Sequence, residues 1–184
     1  ITTLPLKLDE YGSSVKLFHE QLNWQVITRS GRHYLRVWDT KNPSIEAFKG
    51  FEKFALNPEY VFDANFTYYE NAKSQVVKAE VDGQRKVEFI GQLSFNYKGE
   101  TYTLDVGGSG FTMVGDDTSG DTTYGGGRYI YIDLPKEDGP TTIDLNKLYN
   151  PPCAYSDYTT CIYPPRQNYL PFKLEVGETV TPNK

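Results

Sequence analysis

This 184-residue chain contains two cysteines, which could supply either a nucleophile or a structural pair. Cys153 and Cys161 lie eight residues apart, which is the spacing neither of a zinc ribbon nor of a Cys-x-x-Cys redox pair. Three interpretations are open: a disulfide, paired thiols, or two small buried hydrophobic residues. A catalytic Cys153 would also need a neighbouring base or cation to stabilise its thiolate.

The carboxylates and histidines provide few candidates for a metal site or a catalytic site. The run Asp116–Asp121 carries three carboxylates, whose oxygens suit Ca²⁺ or Mg²⁺. It lacks the spacing of an EF-hand, and Asp, Ser and Gly are also ordinary turn residues, so we predict a turn and no metal site. His19 and His33 are the only histidines, which excludes a histidine-rich metal site. No phosphate-binding loop, zinc-protease helix or nucleophile-elbow motif is present, and no cofactor is indicated.

The charge balance narrows the class of partner. The chain has 24 acidic against 19 basic residues and a formal net charge of −5, so we expect no basic face and no nucleic-acid binding.

No apolar run approaches the roughly 18 residues of a transmembrane helix. Tyr and Phe are abundant, which predicts a packed core. Without an apolar run of transmembrane length we expect a soluble protein. Ile1 is not an initiator residue, so its compartment stays open between the cytoplasm and export after processing.

Two segments have helical spacing. Over Leu8–Leu22, Val15, Phe18 and Leu22 fall at i, i+3 and i+7, which predicts an N-terminal helix. A second, shorter helix is predicted over Ile45–Phe54, with a proline near its start.

The remaining elements are typical of a β protein. Short aromatic and β-branched runs recur at intervals of about 8–12 residues, which predicts antiparallel strands. Asp82-Gly83 and Lys98-Gly99 are expected to close hairpins. The predicted strands are Trp24–Thr28, Tyr34–Trp38, Tyr60–Tyr68, Val76–Val81, Lys86–Phe89, Leu93–Tyr97, Thr101–Val106, Phe111–Val114, Tyr129–Leu134 and Phe172–Val176. We therefore predict a mainly β fold, a single antiparallel β-barrel or a two-sheet sandwich.

A loop rich in tyrosine and proline is predicted over residues 143–171. Its five prolines remove backbone donors and restrict φ, so this stretch cannot be a central strand. Five tyrosines interleave with them, which favours an ordered loop packed across the sheet. The expected order, within one domain over residues 1–184, is a helical segment (1–22), a β-rich core (23–142), this loop and a final strand (172–178).

The C-terminal third contains the most specific sequence blocks. They are Thr118-Ser-Gly-Asp-Thr-Thr-Tyr-Gly-Gly-Gly-Arg128, Ile143-Asp-Leu-Asn-Lys-Leu-Tyr-Asn-Pro-Pro-Cys153, Thr160-Cys-Ile-Tyr-Pro-Pro-Arg-Gln-Asn168 and Glu175-Val-Gly-Glu178. These blocks resemble the bacterial and archaeal family called domain of unknown function 1684. The segments Leu35–Asp39 and Phe48–Phe54 resemble upstream parts of that family. One departure is Val114-Gly-Asp116, where family members tend to carry Phe-Arg-Asp.

The resemblance marks a set of polar residues without implying a reaction: Arg36, Asp39, Arg128, Asp144, Asn146, Asn150, Asn168 and Glu178. In a structural role, these side chains would satisfy the backbone of the proline-rich loop. In a functional role, Arg128 would receive an anionic group, while the asparagines, Asp144 and Arg36 complete a ligand-binding set in an aromatic-lined cleft.

The sequence is compatible with three functions. The first is a non-enzymatic binding module for a small polar or anionic ligand. The second is an enzyme of hydrolase type that uses Cys153, or the carboxylates of Asp144 and Glu178, together with Arg128. The third is a structural or partner-binding protein with a tyrosine-rich interface.

Overall fold

The computed structural model describes residues 5–29, 31–81 and 83–180. The chain is mainly β and forms two compact units that divide between Gly50 and Phe51. The single domain expected from the sequence stays a prediction. Within the described ranges, no helix has the length and apolar character needed to cross a membrane.

The first unit is a three-stranded antiparallel meander followed by a short helix. Its strands are β1 (Leu17–His19), β2 (Leu22–Arg29) and β3 (Arg32–Asp39), in the order β1-β2-β3. The helix α1 (Pro43–Ala47) is capped by Asn42, whose side chain accepts from the backbone N of Ser44 at 2.9 Å. The helix predicted over Ile45–Phe54 is therefore displaced towards its proline and ends before Gly50.

The helix predicted over Leu8–Leu22 is wrong. Asp9 Oδ1 accepts from backbone N–H groups two and four residues further on, which closes a turn. Gly12 within that turn has a φ of +73°, a left-handed conformation that interrupts a helix. Val15 and Phe18 stay 65% and 69% exposed, so the apolar spacing at i and i+3 does not mark a buried face.

The second unit contains seven strands, namely β4 (Val61–Ala79), β5 (Gly83–Tyr97), β6 (Glu100–Gly107), β7 (Phe111–Asp116), β8 (Arg128–Tyr131), β9 (Gly139–Asp144) and β10 (Tyr169–Leu170). Four of them form a curled, half-barrel sheet in the order β6-β5-β4-β9. The others form a smaller sheet in the order β10-β7-β8, in which β10 is parallel to β7.

The main core lies on the inner face of the four-stranded sheet. The predicted alternation is confirmed at Leu93 and Phe95, which are 0% and 2% exposed, whereas the alternate residues Ser94 and Asn96 are more exposed and belong to the opposite face. Phe66 on β4 and Leu104 on β6 flank Leu93 in register and are fully buried. Each such side chain contributes about 1.5–3 kcal/mol by burial.

Several strands are longer than their sequence patterns indicated. β4 and β5 each join two predicted strands, and the pairing shifts between Tyr68 and Lys73. A β-bulge there lets one strand continue where the alternation changes face. β9 was missed because its residues, Gly139–Asp144, include glycine and proline. The Lys98-Gly99 hairpin forms with both residues at positive φ, while Asp82 lies outside the described residues.

The final strand predicted over residues 172–178 is wrong. Leu174 and Val176 are fully buried but pair with no strand. β10 is formed earlier, and Glu178 makes only an isolated bridge with Lys53. The backbone of this C-terminal segment is bonded by side chains around Leu174 and Val176 and by isolated backbone contacts such as that between Glu178 N and the Leu148 carbonyl, without a regular ladder.

The predicted tyrosine–proline loop is largely irregular and ordered by short turns. Three 3₁₀ turns, Leu145–Lys147, Pro152–Ala154 and Arg166–Asn168, interrupt it, and its first two residues belong to β9. Leu148 is 1% exposed, whereas Tyr158 is 93% exposed. The loop thus contributes both core residues and surface aromatics.

Candidate functional site

Arg128, the first residue of β8, is only 1% exposed. Its Nη2 donates to Asp116 Oδ2 at 3.0 Å and to the Leu174 carbonyl at 2.9 Å. Its Nη1 donates to the carbonyls of Val176 and Glu178. All four Nη hydrogens therefore have acceptors within the chain, and the guanidinium holds the C-terminal segment in place of a partner strand.

Asp116 balances the buried charge of Arg128. Burial lowers the pKa of Arg128, and the neighbouring Asp116 carboxylate opposes that shift. Asp116 Oδ1 also accepts from the backbone N of Thr118 at 2.8 Å and of Leu174 at 3.1 Å. The sequence did not predict Asp116 as the partner of Arg128, although the resembled family pattern carries an aspartate just before the Thr118 block.

Asn168 is a fully buried bridge between strands. Its Nδ2 donates to the carbonyls of Asp105 and Met113 at 2.8 and 2.9 Å, and its Oδ1 accepts from the Asp105 N–H at 2.8 Å. These bonds join β6 to β7, so the amide has a structural role.

Asn150 connects the loop to the C-terminal segment. Its Nδ2 donates to the Thr179 carbonyl at 2.8 Å, and its backbone N donates to Glu178 Oε2 at 2.7 Å. Glu178 Oε1 lies 3.7 Å from Lys53 Nζ. Among the described residues, the buried Asn150 Oδ1 has no hydrogen-bond partner.

Asp144 and Asn146 hold the segment before β4. Asp144 Oδ1 accepts from the backbone N and the Nδ2 of Asn146, at 3.1 and 2.9 Å. Asn146 in turn exchanges two hydrogen bonds with the backbone of Asn57. The remaining predicted residue, Arg36, lies in the first unit, with its guanidinium 5.8 Å from the ring centroid of Trp38.

The predicted ligand-binding residues thus bond separate stretches of backbone. The five in the second unit are Arg128, Asp144, Asn146, Asn150 and Asn168. Each contributes hydrogen bonds that a proline-rich or unpaired segment cannot make for itself. This is the structural role considered from the sequence.

Cys153 and Cys161 are joined as a disulfide, with their Cα atoms 6.0 Å apart. Both residues are buried, and the Cys153 N–H donates to Cys161 Sγ at 3.2 Å. A disulfide sulfur is not a thiolate, so Cys153 in this form cannot be the nucleophile in the cysteine version of the hydrolase alternative.

Replacing Cys153 with serine is expected to lower the free energy of unfolding by about 2–3 kcal/mol, because the bridge restricts the unfolded chain. Urea unfolding of the oxidised protein measures this. Cys161→Ser should cost the same, and the double variant should cost no more than either. Two titratable thiols in the untreated native protein would contradict the bridge.

The acidic run forms the predicted turn. Thr118 Oγ1 donates to Asp116 Oδ1 at 2.5 Å and lies 2.8 Å from Thr123 Oγ1. Throughout the described ranges, no group of three or more His, Cys, Asp and Glu side chains is arranged to hold a metal ion.

A buried carboxylate that sequence analysis missed lies on β6. Asp105 is 1% exposed, and its Oδ1 accepts from Tyr69 OH at 2.5 Å. Lys73 Nζ lies 3.8 Å from Asp105 Oδ2 and 3.4 Å from Tyr69 OH. Burial and this hydrogen bond raise the pKa of Tyr69 well above its usual value, so the phenol acts as a donor. The cluster therefore stabilises the bulge of β4.

The outer face of the four-stranded sheet carries a shallow concavity of about 310 Å³. It is lined by Asp63, Asn65, Ser94, Asn96 and Thr101, with Ala64 and Phe95 beneath. Thr101 Oγ1 donates to Asn96 Oδ1 at 2.7 Å, and Ser94 Oγ donates to the Asn65 carbonyl at 3.3 Å. The sequence signal was the polar half of the alternation on β4 and β5.

Burial raises the pKa of Tyr129 and the pKa of Tyr149 to about 12. A hydrogen bond with Tyr97 raises the pKa of Tyr60 to about 12 as well. In the unfolded chain, tyrosine loses its proton near pH 10. The native state therefore keeps protons that the unfolded state has lost. The stabilisation linked to these protons should be fully present below about pH 10 and should be lost as the pH rises from about 10 to 12.

This alkaline transition can be followed by phenolate absorbance and circular dichroism on the same samples. We expect a set of tyrosines to ionise together with unfolding. Tyr129→Phe removes one raised group and should reduce the pH dependence. Ionisation of all tyrosines near pH 10 without unfolding would contradict the assignment.

Fold and hydrogen-bond network together define a mainly β protein whose C-terminal segment is held by a buried arginine. The chain belongs to the family described as Protein of unknown function (DUF1684), which matches residues 46–179. Leu35–Asp39 lies outside those matched residues. No curated protein matches the chain.

A solved structure is similar to this chain across most of its length. It is the solution NMR structure of an uncharacterized protein of Haloarcula marismortui, 31% identical, with a TM-score of 0.62. The match covers 77% of this chain and 83% of the archaeal chain. It supports the family assignment and the fold.

Proposed function

We propose that the protein is a non-enzymatic binding module for a small, neutral, hydroxyl-rich molecule, held in the concavity on the outer face of the four-stranded sheet. The observation that carries this proposal is the lining itself, to which the three adjacent strands β4, β5 and β6 contribute five polar residues on one surface. Such a set of amide, hydroxyl and carboxylate groups recognises hydroxyls by multiple hydrogen bonds.

Charge favours a neutral ligand over an anionic one. Asp63 contributes a carboxylate to the lining, and none of the described lining residues is a lysine or an arginine. The anionic alternative relied on Arg128, whose Nη donors are all engaged within the chain. The polar part of the sequence-based hypothesis is therefore kept and moved to a different surface.

The arrangement of donors sets the expected mode of binding. Asn96 Oδ1 already accepts from Thr101, which orients the Asn96 Nδ2 as a donor. Asp63 and Asn65 are exposed on the neighbouring strand. Because these residues lie on paired strands, their spacing is rigid, and little conformational entropy is lost on binding.

The test is a titration of the isotope-labelled full chain with glucose, N-acetylglucosamine and glycerol, followed by two-dimensional NMR. We expect saturable shift changes confined to residues 63–65, 94–96 and 101. The double variant Asn65→Ala/Asn96→Ala should abolish them. The matched control Ser74→Ala, exposed on β4 outside the concavity, should leave them unchanged.

Two outcomes would overturn the proposal. The first is the absence of saturable changes with all three compounds. The second is a set of changes outside the concavity that persists in the double variant. Phosphate and sulfate, titrated in the same way, should give no saturable change at this surface.

A further inference from the structure

We infer that β3 is a self-complementary edge strand through which two copies of this chain pair, joining their meanders into a continuous six-stranded antiparallel sheet. This inference concerns the first unit and is independent of the proposed ligand site. It assigns an interaction surface and a partner, a second copy of the chain.

β3 is an edge strand of the described three-stranded meander. Among the described residues, it pairs only with β2, through eight consecutive partners from Leu22↔Asp39 to Arg29↔Arg32. It contains no proline and no bulge, two of the features that block pairing at an edge. Its charged side chains, Arg32, Arg36 and Asp39, oppose pairing unless each meets a complementary group, so the register of the partner strand decides whether two copies associate. An eight-residue strand without proline or a bulge presents a regular row of backbone donors and acceptors.

Apolar side chains on β3 are exposed. Leu35 and Val37 lie on one face and are 61% and 52% exposed. Exposed leucine and valine beside an unpaired backbone edge favour association with another strand. The opposite face of the strand alternates cations and aromatics: Arg32, Tyr34, Arg36 and Trp38.

Symmetry restricts the register. When a two-fold axis perpendicular to the sheet relates two antiparallel strands, residues directly opposite each other lie on the same face. The axis must then pass through a residue pair such as Leu35 and the partner's Leu35. Centring on Arg36 would place it against the partner's Arg36, and centring on Tyr34 would place Arg32 against the partner's Arg36. Like charges directly opposite are destabilising.

The register centred on Leu35 has favourable pairs at every position from 32 to 38. Leu35 faces the partner's Leu35, and Val37 faces the partner's His33. On the other face, Tyr34 lies opposite the partner's Arg36, and Arg32 lies opposite the partner's Trp38. Aromatic side chains attract cations at such distances, so the alternation of the two types is complementary to itself.

The oligomeric state of the full chain tests the pairing by analytical ultracentrifugation. We expect a concentration-dependent dimer whose dissociation constant rises about tenfold or more in Leu35→Lys, which places two lysines opposite each other. The matched control is Phe18→Lys on β1, because the Phe18 side chain is 69% exposed against 61% for Leu35. This variant should not change the dissociation constant. A monomer at all concentrations, or a dimer unaffected by Leu35→Lys, would overturn the inference.

Cysteine cross-linking tests the register. The native cysteines are already paired, so an introduced cysteine supplies the reactive thiol. Leu35→Cys should form a covalent dimer on mild oxidation. His33→Cys and Val37→Cys should not cross-link alone but should do so when mixed. Cross-linking of Val37→Cys alone, without Leu35→Cys, would contradict the register centred on Leu35.

Discussion

Arg128→Met is expected to lower the free energy of unfolding by about 3–5 kcal/mol, the cost of leaving a buried charge without its partner. The variant leaves the Asp116 carboxylate, 5% exposed, without its counter-ion. It also removes donors from the carbonyls of Leu174, Val176 and Glu178. Urea unfolding monitored by circular dichroism measures the loss in the absence of any ligand.

A double-mutant cycle separates the charge from the packing. Asp116→Asn alone should also be destabilising, whereas Arg128→Met/Asp116→Asn should cost less than the sum of the single variants, because it removes both charges. The matched control is Lys147→Met, which breaks an exposed pair with Asp144 at 3.9 Å and should change stability by less than about 1 kcal/mol.

The result would also decide between the two roles considered for Arg128. Destabilisation without ligand assigns it to the scaffold of the C-terminal segment. Arg128→Met with unchanged stability would contradict the buried network and restore the arginine as a candidate for anion binding.

Asn168→Ala should destabilise the protein by about 3 kcal/mol or more. The Asn168 amide satisfies the N–H and the carbonyl of Asp105 and the carbonyl of Met113. Each buried backbone group left without a partner costs about 1–3 kcal/mol. Thermal and urea unfolding, with amide exchange at Asp105 as a local probe, measure the effect.

Two further variants give this prediction its controls. Asn168→Asp keeps the shape but places oxygens against both carbonyls, so it should be at least as destabilising as alanine. Gln167→Ala removes an exposed neighbour that donates to Thr103 Oγ1 at 2.8 Å and should have little effect. Equal stability of Asn168→Ala and Gln167→Ala would contradict the structural role.

The aromatic and alternating patterns were sufficient to predict a mainly β chain. Inner-face residues such as Leu93 and Phe95 follow from a period of two, which is a local property of a strand. The Lys98-Gly99 turn follows equally from local backbone preferences. Local patterns were misleading in the segment that contains Val15 and Phe18. The three-residue spacing of these apolar side chains fits a helix, but the Asp9 turn and the pairing of β1 with β2 determine the observed backbone.

The sequence blocks that resemble the family also singled out Arg128, Asn150 and Asn168 as important polar residues. The hydrogen bonds that these residues make depend on contacts between parts of the chain that are far apart in sequence. Arg128 bonds carbonyls about fifty residues later, and Asn168 bonds Asp105, 63 residues earlier. No local pattern encodes such distances, because they are set by how strands and loops stack.

For the two proposed surfaces, too, some features are visible in the sequence and others only in the structure. Polar alternation on β4 and β5 and the Arg-x-Tyr-x-Arg-x-Trp alternation on β3 are present in the sequence alone. Only the tertiary structure decided that Asn65 and Asn96 share one concavity and that β3 is an edge strand of its described sheet. The reason is that strand order and register, not composition, determine which side chains lie together and which strand ends a sheet.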